Sequence, residues 1–194
     1  MKYLYTTPEY EDLASPQEIQ FVKHLFDNYC VEEKYEDVLI VVGLLPRDEP
    51  DELVSGVCSD FSKYKSEIAH YMVDRMPNTQ TSIEPYVNLL NCLQLIKDSN
   101  NIKIIQVLIE NQDKRTKLNT IAHEFIHAVQ FITDNLKVEE YDEKTSYIWE
   151  DELFVSKHKN DYFSLKQHRN FPWEIAAYAN SGMLVAEYLN RNIE

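Results

Sequence analysis

Five consecutive residues, His123-Glu124-Phe125-Ile126-His127, constrain this chain more than any other feature of its sequence. They form the pattern HExxH. On an α-helix, residues four apart lie on the same face, so His123 and His127 can direct imidazole nitrogens to one metal ion. Glu124 lies about 100° further round the helix, where it can flank the metal without binding it. The pattern therefore predicts zinc (Zn²⁺) bound by the two histidines, with Glu124 as the general base.

The residues around this motif have the periodicity of an amphipathic helix. Apolar side chains recur at spacings of four, three and four in Ile121, Phe125, Ala128 and Ile132. This spacing places them on one face, beside the two histidines. Leu118 to Asp134 is therefore predicted to be a helix with one face on the core. An alternative without metal also fits, because two histidines on a half-buried helix can simply form hydrogen bonds with backbone or carboxylate groups.

A third metal ligand must come from elsewhere, because catalytic zinc normally takes three protein ligands and keeps one position for water. Glu174 is the first choice, since Pro172-Trp173-Glu174 begins a terminal helix that can pack against the motif helix. His168 is the rival. The helix dipole alone also favours a glutamate in a first turn. The buried side of this terminal helix is predicted to contain Ile175, Ala179, Met183, Ala186 and Leu189.

The rest of the chain is predicted to supply further helices and strands. Ser15 to Glu18 has the pattern of a capped helix start, and the apolar run Val38 to Val42 predicts a buried strand. Leu53 to Cys58 predicts a second strand, with Asp60 capping the helix that follows. Ile102 to Glu110 predicts a strand just before the motif helix. Beside a cleft, this last strand could pair its free edge with an extended peptide, although an ordinary core strand fits as well.

Residues 135 to 171 show little regular pattern, and a long irregular segment in a compact domain is usually functional or disordered. The chain as a whole indicates the α+β class, with a mainly helical domain, a small mixed sheet and the HExxH helix at the active site. Its 194 residues suffice for one globular domain with a substantial core. We therefore expect a single domain over residues 1–194, with a helical and strand portion at 1–99 and a metal-site portion at 100–194.

Charge and hydropathy restrict the partners. The chain has 19 Lys and Arg against 33 Asp and Glu, a net charge of −14 that opposes binding to nucleic acid. No apolar run is long enough for a membrane span, and the first residues lack the apolar core of a signal peptide, so a cytoplasmic location is expected. The acidity would suit a basic peptide or protein substrate, although such charge more often only keeps a protein soluble.

The three cysteines suggest neither of the common structural roles of this residue. They are far apart and form no CxxC pair. Disulfide frameworks and thiolate zinc sites both use closer or paired spacings. We therefore expect buried thiols at Cys30, Cys58 and Cys92.

The motif and the later glutamate together resemble zincin metallopeptidases of the gluzincin type, in which a glutamate on a later helix completes HExxH. His123 to Val129 and Trp173 to Ala179 are similar in wording and spacing to minimal gluzincins and to the catalytic domain of the anthrax lethal factor group. The resemblance covers residues 100 to 190. It implies a zincin-like domain and a zinc metalloendopeptidase, with a site made of His123, His127, Glu174 and, as base and proton shuttle, Glu124.

The chain departs from related patterns at several positions. Thermolysin-like members carry an acidic residue four positions after the ligand glutamate, where this chain has Tyr178. Metzincins need glycine and histidine where it has Gln130 and Thr133, which excludes that class. In the lethal factor group, a tyrosine upstream of the ligand glutamate stabilises the oxyanion. Here that neighbourhood contains His168, with Tyr162 further back, so His168 or Tyr178 is nominated for this role.

A second hypothesis comes from a different functional class. The chain would then be a catalytically inactive, acidic binding or structural protein on a zincin scaffold. Its acidic segment, residues 139 to 152, would dock a basic partner. The two hypotheses differ in metal content, because only the first requires one tightly bound zinc ion per chain.

Overall fold

The computed structural model describes residues 1–30, 35–45, 56–76, 83–110, 114–159, 161 and 163–191. Helices account for about half of these residues and the strands form two small sheets, which confirms the α+β class. The helices are α1 Pro8–Leu13, α2 Pro16–Tyr29, α3 Lys65–Asp74, α4 Glu84–Asp98, α5 Lys114–Ile132, α6 Leu165–His168 and α7 Pro172–Arg191. The strands are β1 Lys2–Thr6, β2 Asp37–Leu44, β3 Gly56–Asp60, β4 Ile102–Ile109, β5 Leu136–Tyr141, β6 Lys144–Trp149 and β7 Glu152–His158. None of the described helices combines the length and the apolar character that crossing a membrane requires.

The main sheet has the strand order β1-β2-β4-β3. Its first three strands are parallel, and β3 pairs antiparallel with β4, so the sheet is mixed as predicted. Because β4 has a neighbour on each side, the expectation that Ile102 to Glu110 offers a free edge is wrong. Among the described strands, β1 and β3 form the two edges of this sheet, and β3 is the edge strand that lines the cleft. Of the strand predicted from Leu53 to Cys58, residues 53 to 55 lie outside the described part of the chain.

Two apolar layers cover the faces of the main sheet. On β4, Ile105, Val107 and Ile109 face the layer that contains α2, α5 and α7, whereas Ile104 faces α3 and α4. This alternation follows from the pleat of a strand, which points successive side chains to opposite faces. The sheet is therefore the middle of three layers.

Helix α5 buries the predicted apolar stripe. Ile121, Phe125, Ala128 and Ile132 are each at most 2% exposed and pack against β2, β4 and α2. A buried stripe fixes the rotation of a helix about its own axis. The neighbouring face, which carries the two motif histidines, therefore points to the cleft between β3 and α7.

A buried ion pair ties α5 to α2. The predicted capping box is present at the start of α2, where the Ser15 N–H donates to Glu18 Oε2 at 2.8 Å and the Glu18 N–H donates to Ser15 Oγ at 3.3 Å. Lys117 Nζ on α5 lies 3.1 Å from the same Glu18 Oε2. Both side chains are almost fully buried. This pair therefore fixes the first turns of α5 relative to α2.

The expectation that Asp60 caps the next helix is wrong. Asp60 is the last residue of β3, and α3 begins only at Lys65. The Asp60 carboxylate instead accepts hydrogen bonds from the Ser62 N–H and hydroxyl, and it contacts Lys103 Nζ at 2.7 Å. Aspartate favours such local turns as much as helix caps, which explains the error.

The two sides of α7 are the reverse of the prediction. The side expected to be buried is exposed at all five positions, namely Ile175, Ala179, Met183, Ala186 and Leu189. The buried positions are Trp173, Glu174, Ala177, Ser181 and Tyr188. An apolar stripe predicts burial only when no other constraint sets the rotation of the helix. Here the inward position of Glu174 turns the stripe to the solvent.

The interpretation of residues 135 to 171 as irregular is also wrong for most of this segment. Strands β5, β6 and β7 form an antiparallel meander, and α6 follows it. Two-residue hairpin turns need positive φ angles, which usually call for glycine or asparagine. This chain uses Asp142 at φ 47° in the first turn, and Glu150 at 49° and Asp151 at 66° in the second. The usual sequence signals of a hairpin are therefore missing.

We predict that Lys117→Met lowers the free energy of unfolding by about 3–5 kcal/mol, because it leaves the Glu18 carboxylate buried without its cation. Urea unfolding at neutral pH measures the change. Lys23→Met is the matched control, since Lys23 lies exposed on α2, and it should change stability little. Equal urea midpoints of unfolding for the two variants would contradict a structural role for the ion pair of Lys117 and Glu18.

Candidate metal centre

Two helices bring three possible metal-binding residues together. His123 and His127 lie one turn apart on α5, and Glu174 lies in the first turn of α7. The two histidine Nε2 atoms are 3.1 Å apart. Glu174 Oε2 lies 3.3 Å from His123 Nε2, and Glu174 Oε1 lies 3.2 Å from His127 Nε2. This group could hold a metal ion.

The spacing of these donor atoms fits a tetrahedral ion. Zinc binds imidazole nitrogen and carboxylate oxygen at about 2.0–2.2 Å, so neighbouring donors of a tetrahedral site lie about 3.3 Å apart. The two histidine Nε2 atoms are 3.1 Å apart, and each lies close to that value from a different Glu174 oxygen, at 3.3 Å from Oε2 for His123 and 3.2 Å from Oε1 for His127. All three side chains are largely buried, with Glu174 only 3% exposed. Crowded lone pairs in a buried site need a cation or protons to balance them, and one divalent ion would serve all three groups.

Gln130 orients one of the two histidines. Its side-chain oxygen lies 2.8 Å from His127 Nδ1, and its side-chain nitrogen donates to the Trp173 carbonyl oxygen at 3.1 Å. The second bond assigns the amide orientation, so the Gln130 oxygen faces His127 and accepts from Nδ1–H. In that tautomer, Nε2 keeps a lone pair for a metal. Gln130 thus joins the motif helix to the start of α7.

His123 is held by packing more than by hydrogen bonds. Its ring is nearly perpendicular to that of His127, at 85°, and lies 4.5 Å from the ring of Tyr178 between centroids. Its Nδ1 atom is buried and has no hydrogen-bond partner within the described part of the chain. Its Nε2 atom, which faces the other two donors, is therefore the polar contact of this ring.

An aromatic cluster positions Glu174. Trp173 is 3% exposed, and its ring stacks on Tyr147 of β6 with centroids 5.7 Å apart and an angle of 9°. The ring centroids of Phe171 and Phe154 lie 4.7 and 5.4 Å from that of Trp173. Since Trp173 directly precedes Glu174, this contact sets the direction in which α7 begins. The meander of β5 to β7 therefore supports the third donor.

Glu124 lies beside the three donors and is not one of them. It is 6% exposed and lines the same cleft. A Cβ atom added at Gly56 of β3 would lie 2.7 Å from Glu124 Cγ and 2.8 Å from its Oε1. Glycine at this position therefore leaves the space that the carboxylate occupies.

The carboxyl groups of Glu124 and Glu174 differ in acidity. Burial raises the pKa of Glu124 to about 7, although His127 and His123 lower it. Burial also raises the pKa of Glu174, but hydrogen bonds from His123 and His127 outweigh that effect and bring it to about 2. For His127, burial lowers the pKa, and Glu174 and Glu124 raise it above its usual value. Glu174 is thus ionised and available as a ligand, and Glu124 can exchange a proton near neutral pH.

An open cleft of about 530 Å³ leads to this group. Gly56, Val57 and Cys58 of β3 all line it. Side chains of consecutive strand residues point to opposite faces, so three in a row can line one cavity only along the main-chain edge. Other lining residues are Asn119 and Thr120 of α5, His168 of α6, Arg169 directly after it, and Tyr178 and Ser181 of α7.

The structure places the remaining predicted residues near the group. His168 is half-exposed on α6, and its Nε2 lies 3.3 Å from Glu174 Oε1, outside the three-donor group. Tyr178 lines the cleft on the other side, and Tyr162 lies outside the described residues. Comparisons with protein-family models, curated proteins and solved structures found no match.

Sequence analysis missed two residues of this site. Gln130 carried no signal as a positioning residue, although its place three residues after His127 put it on the same helix face. Gly56 is one of only three glycines in the chain. An isolated glycine in a strand often marks a place where another group comes close to the backbone. In a chain with so few glycines, this is the one sequence feature that could have indicated Gly56.

We predict that Gln130→Leu weakens zinc binding by about 10- to 100-fold, because the His127 tautomer and the link to Trp173 are both lost. Competition with a chromophoric chelator measures the affinity. Gln20→Leu on the exposed side of α2 is the control and should bind zinc like the unmodified protein. Identical affinities for both variants would show that Gln130 does not orient the ligand.

Proposed function

We propose that the protein is a zinc-dependent metallopeptidase of the gluzincin type. The observation that carries this proposal is the convergence of His123, His127 and Glu174 with a separate carboxylate, Glu124, beside an open cleft. Two histidines and one glutamate are a donor set that catalytic zinc uses, with a fourth position for water. Metal type is part of the proposal and follows from this donor chemistry.

The chain's own groups would divide the work of hydrolysis. Zinc, when bound, would supply the Lewis acidity that makes a water molecule a good nucleophile and polarises the peptide carbonyl. Glu124 would remove a proton from the attacking water. The water oxygen would form a bond to the carbonyl carbon, and as the C–N bond breaks Glu124 would deliver that proton to the leaving nitrogen, which gives a carboxylic acid and an amine. A pKa of about 7 suits a group that must both accept and release a proton near neutrality.

The edge strand β3 would supply a binding surface for an extended peptide. The Phe61 N–H donates to the Ile104 carbonyl at 2.8 Å. Because hydrogen-bonded residues alternate along an antiparallel pair, Gly56, Cys58 and Asp60 turn their N–H and C=O groups to the free edge. An added strand can pair with such groups through main-chain hydrogen bonds. We therefore assign main-chain pairing with an extended peptide, which the sequence suggested for Ile102 to Glu110, to β3.

His168 and Tyr178 remain proposals for stabilising the oxyanion. Each flanks the donor group from a different helix, and each is about half exposed in the cleft. Their rings can therefore reach a bound peptide without being metal ligands. A cytoplasmic location also remains a proposal.

We predict that Glu124→Gln keeps zinc bound at one ion per chain and slows peptide hydrolysis by about 100- to 10,000-fold, because the amide cannot take the water proton. Zinc content and cleavage of a fluorogenic peptide library measure the two effects. His123→Ala is the companion variant, and it should lose zinc and activity together. A protein without stoichiometric zinc, unchanged by His123→Ala, would favour the acidic binding protein instead.

We predict that Gly56→Ala lowers the rate of hydrolysis by about 100-fold, because its Cβ would displace the Glu124 carboxylate. Zinc affinity should stay close to that of the unmodified protein, since none of the three donors is touched. Gly182→Ala is the matched control, because in the described part of the chain no atom beyond its own turn of α7 lies within 4 Å of the added Cβ. Full activity of Gly56→Ala would mean that Glu124 does not act from this position.

A further inference from the structure

A second cavity, of about 660 Å³, adjoins the metal centre on the side of the C-terminal half of α5. It shares Cys58, His127, His168 and Glu174 with the first cleft. Strand β3 runs along both cavities, since its first residues line one and Ser59 and Asp60 line the other. An extended peptide held along β3, with its reacting bond at the donor group, would therefore direct a side chain into the second cavity.

One part of the wall of the second cavity is apolar and largely aromatic. Its residues come from the position directly after β3, from α5, from the meander and from the start of α7. The residues are Phe61, Phe131, Leu136, Val138, Tyr147 and Trp173. Walls of this kind bind a long hydrocarbon chain along its whole length.

The floor of the cavity is charged. Lys103 Nζ lies 2.7 Å from Asp60 Oδ2 and 3.2 Å from Asp134 Oδ1, and 5.1 Å from the ring centre of Tyr35. Of these two carboxylates, that of Asp60 lines the cavity. The Lys103 side chain is 6% exposed and that of Asp60 is 26% exposed. An entering group therefore meets the Asp60 carboxylate before the lysine.

Asp60 is held in a fixed orientation. Its Oδ1 accepts from the Ser62 N–H at 2.9 Å and the Ser62 hydroxyl at 2.5 Å, while Oδ2 faces Lys103. A carboxylate has about four lone-pair sites. The three described contacts leave room for one more donor. At the rim, Lys63 and Glu140 are both exposed and of opposite charge.

We propose that this cavity is a specificity pocket that binds a lysine or arginine side chain of the substrate, an inference that rests on the proposed peptidase function. The methylene stem would lie along the apolar walls, and the cationic end would donate to Asp60. A neutral side chain would cover Asp60 without pairing its charge, and an acidic one would be repelled. The net charge of −14 would also attract a basic peptide.

The test begins with the zinc-loaded full chain and a positional library of fluorogenic peptides. Each position in turn carries Lys, Arg, norleucine, Gln or Glu, and mass spectrometry locates the cleaved bond. At one position near that bond, we expect kcat/KM for Lys or Arg to exceed norleucine and Gln by about tenfold or more, as one charge-assisted hydrogen bond would give. Equal or higher rates for neutral or acidic residues at every position would overturn the proposal.

Two variants then assign the preference to this cavity. Asp60→Asn keeps the shape of the floor and removes the charge of this carboxylate, so the ratio of kcat/KM for basic over norleucine substrates should fall to about twofold or less. Val138→Lys, at a half-buried wall position of β5, places a competing ammonium in the cavity and should have the same effect. If Asp60→Asn does not fold, Val138→Lys alone tests whether the preference for basic side chains arises in this cavity. Asp74→Asn on α3 removes an equal charge from the opposite layer and should keep the preference.

The failure of this inference differs from the failure of the proposed function. If no library peptide is cleaved by the zinc-loaded protein, the peptidase proposal fails. If peptides are cleaved and the basic preference is absent, or survives both cavity variants, only the pocket assignment fails. Binding of Lys- and norleucine-containing peptides to zinc-loaded Glu124→Gln, by fluorescence anisotropy, gives a readout that needs no turnover. It should show the same order of preference.

Discussion

The constraint on which the rest of the structure depends is the burial of a carboxylate against two imidazoles. Glu174 is 3% exposed, and its oxygens lie within 3.3 Å of both histidine Nε2 atoms. Such a group is costly to bury unless opposite charge surrounds it. The nearby contacts act to keep it in place: Gln130 bridges His127 and the Trp173 carbonyl, and the aromatic cluster holds the start of α7. Stability of the core and geometry of the site are therefore set by the same residues.

Local periodicity predicted the elements that carry the site, and tertiary placement decided the rest. The stripe from Ile121 to Ile132 identified α5 because a helix with one buried face leaves a repeat in the sequence. Glu174 was also foreseen as a donor that the structure now places beside the histidines. The space between Gly56 and Glu124 joins residues far apart in the chain, and no local pattern reports such a contact. The role of Gln130 in orienting His127 was not predicted for the same reason, because its partner Trp173 lies on another helix.

Strand order explains the error about the substrate-pairing strand. Both β3 and β4 were expected from composition, but which of them lies at an edge depends on pairings that are not local. The sequence favoured β4 because it immediately precedes α5. In the structure β4 lies in the middle of the sheet, where both of its edges are paired. Strand β3 is shorter than β4, and it is the better candidate for pairing with a peptide because its free edge lines the cleft.

Helix α7 shows why an apolar stripe can face the solvent. Its rotation must satisfy Glu174, which points toward α5, and Trp173, which is fixed by the meander. Placing Ile175 and Met183 in the core would require turning Glu174 out of the donor group. Exposure of single apolar side chains has a modest free-energy cost. Turning Glu174 outward would cost more, because it would leave the two buried histidines without their carboxylate partner. The outward stripe is thus a consequence of the burial of Glu174 against the two histidines, and hydrophobicity alone predicts the opposite face.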